Sequence, residues 1–136
     1  MTAASNAMCV VGFGFRRAAR LASLADLLAQ LEARYGPVDR LAAAASKQAL
    51  VQALGRERGM AVIAVADEAL PSAVTLTHSR HSLEARGTGS VAEAVALLAA
   101  GPGAELLGPR LISADRMATA AVARGALRGA LRGEGA

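Results

Sequence analysis

The feature that most constrains the fold is a series of three short apolar runs separated by two helical stretches. The runs cover residues 8–11, 41–45 and 60–66, and the last of them reads MAVIAVA. Their length and their content of small and β-branched residues are typical of buried strands. Strands that alternate with helices predict a parallel sheet with right-handed crossovers, so we expect an α/β fold.

The first helical stretch has a regular apolar face. Its leucines follow the i, i+3, i+4, i+7 spacing of an amphipathic helix, and they are Leu24, Leu27, Leu28 and Leu31. We expect Ser23 to cap this helix and Gly36-Pro37 to end it. The second stretch runs from the Ser46-Lys47 pair to Arg58 and carries a similar apolar face.

The chain after the third run has a weaker pattern. Residues 74–77 are at most a short edge strand, and the remainder of 72–90 is polar or glycine-containing, as in long loops that carry function. We then expect a third helix from Ser90 to Gly101, two weak strands and a small-residue strand at 117–123. The domain organisation we expect is a disordered N-terminus at 1–7, one domain at 8–124 and a basic tail at 125–136.

The positive charge of the chain favours an anionic partner. The formal net charge is +4 and the isoelectric point is about 10.5. Aromatic residues make up only 2%, which provides few stacking platforms for a single-stranded nucleic acid, and no basic amphipathic helix with large apolar anchors indicates a membrane surface. We therefore expect an acidic small molecule as the ligand, and neither nucleic acid nor a membrane as a partner.

Cysteine content and hydropathy indicate a cytoplasmic protein. Cys9 is the single cysteine, so no internal disulfide can form, and a buried thiol is compatible with a reducing compartment. No run approaches the ~18 apolar residues that span a bilayer, and the N-terminus lacks the pattern of a secretion signal.

Basic residues follow two neighbouring strands of the predicted sheet. Gly12-Phe13-Gly14 is interpreted as a sharp turn after the first strand, and Arg16 and Arg17 come directly after it. Ser46 and Lys47 follow the second strand and open a helix. Because the carboxyl ends of parallel strands form the ligand-binding edge of such sheets, these cations predict an anion pocket. The alternative is a tight turn with solvated arginines, and a Ser46 that only caps its helix.

Two further groups have both a structural and a functional interpretation. Ser90 and Glu93 have the S-x-x-E spacing of a capping box, and the same helix start, after Gly89, could receive a ligand carboxylate. His78 and His81 form an H-x-x-H pair around Arg80. A metal site needs a third ligand that the neighbouring sequence does not supply, so we expect no metal, no cofactor, and loop residues that line the pocket.

The chain resembles the CobE family of cobalamin-biosynthesis proteins, equivalent to the C-terminal domain of CbiG. Four segments carry the resemblance in order and spacing: VVGFGFRRAA, AAAASKQALVQAL, GTGSVAEAVALLAAG and MATAAVARG. It spans roughly residues 8–124, and its most specific part is the helix start at 89–101. The resemblance implies a three-layer α/β/α sandwich around a mostly parallel sheet of about five strands.

The resemblance also implies a role in corrin metabolism. Our hypothesis is that the chain binds an anionic precorrin intermediate as an accessory protein or carrier of the oxygen-dependent pathway, in contact with other cobalamin-pathway enzymes. The alternative is a hydrolase that opens the lactone of a (cobalt-)precorrin-5-type intermediate, as in CbiG-type proteins, and a second alternative is a small basic nucleic-acid-binding module. Phe15 stands where the family often has cysteine and Ala18 where it often has glycine, which weakens the case for catalysis more than for binding.

These arguments give one set of candidate ligand-binding residues and no assigned catalytic residue. The set is Gly12, Gly14, Phe15, Arg16, Arg17, Ser46, Lys47, His78, Arg80, Gly89, Ser90 and Glu93.

Overall fold

A mixed sheet forms the centre of the protein. The computed structural model describes residues 7–78, Leu83 and residues 89–127, and within them the sheet has six strands. In chain order the strands are β1 (Ala7–Phe15), β2 (Arg40–Ala44), β3 (Ala61–Val65), β4 (Glu105–Leu106), β5 (Leu111–Ile112) and β6 (Ala118–Leu127). The order across the sheet is β3-β2-β1-β6-β4, and β5 also pairs with β6.

The first three strands form the parallel part of the sheet, as their alternation with helices predicts. Phe13 of β1 faces Ala43 of β2, and Ala43 in turn faces Ala64 of β3. On the other side of β1, the small-residue strand β6 pairs antiparallel, with Ala120 opposite Phe13. The α/β class and the expected number of strands are confirmed.

Helices cover both faces of the sheet. Helices α1 (Leu21–Tyr35) and α2 (Gln48–Arg58) pack on the face that carries Val11 and Phe13, and helix α3 (Val91–Ala100) packs on the face that carries Val10. Two 3₁₀ turns, Ala45–Lys47 and Asp67–Ser72, follow β2 and β3. The three layers expected from the resemblance are therefore confirmed.

Across the described part of the chain, no helix has both the length and the apolar content that crossing a bilayer requires.

The glycines of β1 allow α3 to approach the strand closely. A Cβ atom added to Gly12 would lie 2.5 Å from both the Ala92 carbonyl oxygen and the Ala96 nitrogen, and one added to Gly14 would lie 3.2 Å from the Val91 Cβ. The interpretation of residues 12–14 as a sharp turn is wrong, because β1 continues through Phe15. The missing side chains instead place the first turns of α3 over the carboxyl-terminal half of β1.

Three local expectations differ from the structure. Ser23 does not cap α1, which begins at Leu21; it lies buried inside the helix and donates a hydrogen bond to Asp115. Residues 74–77 form no strand, because the backbone amides of Leu76 and Thr77 bond to a side chain of α3 instead. The last strand continues past its expected end at Ala123 to Leu127, whereas residues 1–6 and 128–136 lie outside the described part.

The close packing of α3 on β1 predicts that Gly12→Ala destabilises the protein by about 3 kcal/mol, because the new methyl group overlaps helix backbone that cannot move alone. Urea denaturation of the full chain measures this difference. Gly59→Ala is the control, since a Cβ there meets nothing within 4 Å and only the left-handed φ of 68° is strained. It should cost about 1 kcal/mol, and an equal loss in both variants would contradict the packing argument.

Candidate functional site

The carboxyl ends of β1, β2 and β3 lie side by side at one edge of the sheet. Arg16 and Arg17 follow β1, Ser46 and Lys47 follow β2, and Asp67 follows β3. The first turn of α3 lies above the end of β1 at the same edge. We call residues 15–17, 46–47, 67, 74–78 and 89–93 the rim.

Lys47 extends from the end of β2 to the end of β1. Its ammonium group donates a hydrogen bond to the Phe15 carbonyl oxygen (2.9 Å) and lies 5.2 Å from the centroid of the Phe15 ring, within the usual range of a cation–π contact. Arg16 and Arg17 are exposed and follow Phe15 directly. The structure therefore brings the lysine to the segment that carries the arginine pair.

Ser46 joins the ends of β2 and β3. Its amide and its hydroxyl both donate to the carboxylate of Asp67, at 3.0 and 2.5 Å. Ser46 is not the N-cap of α2, which follows the 3₁₀ turn after Lys47, and no side chain caps that helix. Asp67 was not among the predicted site residues, and it adds one carboxylate to the rim.

The start of α3 holds a buried carboxylate. The Ser90 hydroxyl accepts from the Glu93 amide (3.3 Å), so this half of the predicted capping box is present. The Glu93 carboxylate is fully buried and does not return to Ser90: one oxygen accepts from the Leu76 and Thr77 amides, and the other accepts from the Thr77 hydroxyl and the Arg110 amide, all at 2.7–2.8 Å.

This carboxylate determines how the segment before α3 is presented. Along this segment, in which the Leu76 and Thr77 amides bind Glu93, two apolar side chains project to the surface: Val74 is 86% exposed and Leu76 is 58% exposed. Gly89 packs against the same segment, since a Cβ atom added to it would lie 2.6 Å from the Thr75 hydroxyl oxygen. The rim therefore carries exposed apolar side chains as well as cations.

The turn between β5 and β6 supports the end of β1. The Arg16 amide donates to the Met117 carbonyl oxygen (2.8 Å), so the position of this turn fixes the backbone that enters the arginine pair. Asp115 organises the turn by accepting from the Ser113 hydroxyl (2.6 Å), the Ser23 hydroxyl (2.6 Å) and the Met117 amide (3.0 Å). These bonds, with that from Ser113 the most important, lower the pKa of Asp115 to about 2.

Two more arginines near the rim were missed by the sequence analysis. Arg110 donates its backbone amide to Glu93, and its Nε atom is buried without an acceptor in the part of the chain that the structure describes. Arg116 is exposed in the turn that bonds to Arg16, with a left-handed φ of 61°. The Ser113-to-Asp115 spacing is typical of a turn and could have indicated Arg116. No local signal identifies Arg110, which depends on a contact with a distant helix.

The remaining predicted site residues lie beneath the rim, at its end, or outside the described part of the chain. Gly12 is buried under α3, and the Glu93 side chain is buried beneath the rim, so both support the site from inside. His78 is exposed at the end of the segment 74–78, whereas Arg80 and His81 lie outside the described residues. Among the residues that are described, no three His, Cys, Asp or Glu side chains are grouped to hold a metal ion.

Comparison with known proteins identifies relatives of this fold. Residues 9–123 match the family model for the cobalamin synthesis G C-terminus. The structure is similar to that of CobE, a protein from the cobalamin biosynthetic pathway, with a TM-score of 0.78, 28% identity, and 89% of this chain and 92% of that chain covered. It is also similar to cobalamin biosynthesis protein chiG from Agrobacterium tumefaciens, with a TM-score of 0.68, 31% identity, and 88% and 99% coverage. Comparison with curated proteins finds no match.

The hydrogen bonds of Glu93 predict that Glu93→Gln destabilises the protein by about 3 kcal/mol, because an amide NH₂ group would face donors that have lost their acceptor. Hydrogen exchange should also show faster opening at the Leu76 and Thr77 amides. The matched control, Glu57→Gln on the exposed side of α2, should change stability by less than about 0.5 kcal/mol. Unchanged exchange at Leu76 and Thr77 would contradict this role.

The lowered pKa of Asp115 predicts a specific acid sensitivity. Since the folded value lies below the ordinary value of 3.8, the stabilisation is present above about pH 4 and is lost as the pH falls toward about 2. Asp115→Asn should therefore lose less stability over this interval than the unmodified chain, measured by urea denaturation at each pH. Ser113→Ala should reproduce part of the effect, and a wild-type pH profile in Asp115→Asn would refute it.

Proposed function

The chain belongs to the cobalamin synthesis G C-terminus family and takes part in cobalamin biosynthesis, and on that premise we propose that its rim binds an anionic corrin intermediate. We propose the role of an accessory protein or carrier, which holds an intermediate between other enzymes of the pathway. The observation that carries the proposal is the Lys47–Phe15 contact, because it brings the lysine that follows β2 to the end of β1, where the arginine pair begins.

The cations of the rim suit the periphery of a corrin precursor. Such macrocycles carry acetate and propionate carboxylates around the ring, and arginine binds carboxylates through strong, directional hydrogen bonds. Arg16 and Arg17 are exposed, and Lys47 lies beside them. In the proposed complex these three side chains hold peripheral carboxylates, and the start of α3 with Gly89 and Ser90 faces a further one.

The apolar side chains of the rim suit the face of the ring. Val74 and Leu76 project from a segment whose backbone is bound to Glu93, so they form a fixed apolar surface. A macrocycle whose carboxylates contact the arginines could lay its hydrophobic face on this surface. His78 and Arg80 follow in the sequence as candidate contacts, and Arg80 lies outside the described residues.

Lactone hydrolysis is the second candidate function. The observation in its favour is the short bond from the Ser46 hydroxyl to Asp67, which pairs an exposed hydroxyl with a carboxylate at the same rim. The two functions differ in turnover, since a hydrolase changes the mass of the intermediate and a carrier changes only its spectrum. Mass spectrometry of a precorrin-5-type intermediate incubated with the full chain separates them.

The proposed site predicts that the full chain binds hydrogenobyrinic acid, with a change in the visible absorbance of the ligand. Arg16→Ala/Arg17→Ala should weaken binding about a hundredfold or more, since each of the two charge-assisted bonds contributes about 1.5–3 kcal/mol. The matched control is Arg34→Ala/Arg124→Ala, which removes the same amount of charge at the other end of the strands. Arg34 lies near the start of β2, and Arg124 lies near the start of β1. This control should bind like the unmodified chain.

Two results would contradict the binding site. Absence of any spectral change in the unmodified chain would exclude this ligand. An equal loss of affinity in both double variants would show that net charge, and not the arrangement at the rim, attracts the corrinoid.

A further inference from the structure

The outermost strands of the sheet are β3 on one side and the short strands β4 and β5 on the other. They are protected to different degrees from pairing with another chain. One edge consists of β4 and β5, which are two residues long and are flanked by Pro102 and Pro109. Very short strands and prolines are common means of preventing edge-to-edge pairing. The other edge is β3, which pairs only with β2 among the described residues.

The exposed side of β3 has none of these protective features. Its sequence is AVIAV, without charge or proline, and it keeps a regular register with β2 over all five residues. Ala61 and Ala64 are exposed, and Val62 and Ile63 are half-buried. The small alanine side chains leave the backbone of the edge open to another strand. An unprotected apolar edge of this kind is a template for pairing.

An open groove runs beside this edge. It has a volume of about 420 Å³ and is lined by Gln52, Gly55, Arg56, Gly59, Met60 and Val62. Arg56 is exposed on α2, near the amino end of β3. At the carboxyl end of the strand, Asp67 and the exposed Glu68 follow directly. The edge therefore has a basic residue at one end and acidic residues at the other.

We propose that β3 pairs antiparallel with β3 of a second copy of this chain, about a two-fold axis at Ile63. Residues equally far from Ile63 then face one another, so that Gly59 of one copy lies opposite Asp67 of the other. This register brings Arg56 of each copy to the acidic end of the other copy's strand, where Glu68 is exposed. In this orientation the basic end of one β3 strand faces the acidic end of the other. The contact between Arg56 and Glu68 therefore occurs twice by symmetry.

The dimer would also cover the groove and leave the cationic residues of the rim open. A stable interface buries about 800 Å² per partner, which is more than a five-residue strand provides, so the groove beside β3 supplies the remaining contact. Antiparallel pairing directs the two rims toward opposite ends of the combined sheet. Each copy therefore keeps Arg16, Arg17 and Lys47 outside the interface, and Asp67 is the residue of the rim that lies at the end of the paired strands.

Analytical ultracentrifugation of the full chain over the micromolar range tests the interface. The unmodified chain should dimerise, and Ala64→Lys, which places a charge on the exposed edge, should be monomeric. The matched control is Ala33→Lys on the exposed face of α1, which should remain dimeric. Circular dichroism confirms that each variant is folded.

Charge reversal locates the interface without relying on one disruptive variant. Arg56→Glu and Glu68→Arg should each weaken dimerisation about tenfold, and the double variant should restore it, because the pair is re-formed with opposite sign. A chain that is monomeric at every concentration would overturn the proposal. A dimer that tolerates both Ala64→Lys and the single charge reversals would overturn it as well, since its interface would lie elsewhere.

Discussion

The buried carboxylate of Glu93 is the interaction on which the site depends. A carboxylate removed from water is tolerated only where hydrogen-bond donors surround it, and here four donors come from two segments that are distant in sequence. Residues 76–77 and the loop before β5 are held in place by these bonds. Leu76 is exposed at the rim on a backbone whose amide is bound to this group.

The position of that carboxylate depends in turn on how closely α3 approaches the sheet. Without Cβ atoms at Gly12 and Gly14, the helix backbone rests almost directly on β1, and its first turn reaches the carboxyl end of the strand. A larger separation would carry Glu93 away from its donors and the helix start away from the arginines. Two absent side chains in the core therefore determine the geometry of a surface site about one helical turn away.

Sequence reasoning predicted what depends on local pattern and chain direction. The helices, the three parallel strands and the approach of Lys47 to the end of β1 follow from apolar periodicity and from the common direction of parallel strands. Contacts between distant segments were not predictable. The glycine pair of β1 has the local pattern of a turn, and the spacing of Ser90 and Glu93 is that of a complete capping box. Asp67 and Arg110 reach their positions only through tertiary contacts.

The fold restricts the side chain of Lys47 before any ligand binds. A surface lysine usually explores many rotamers, and restricting it costs up to about 2 kcal/mol of side-chain entropy. Here the bond to the Phe15 carbonyl and the contact with the Phe15 ring restrict the side chain during folding. Encounter with an anion then requires little further ordering of this residue, so more of the attraction between opposite charges is retained as affinity.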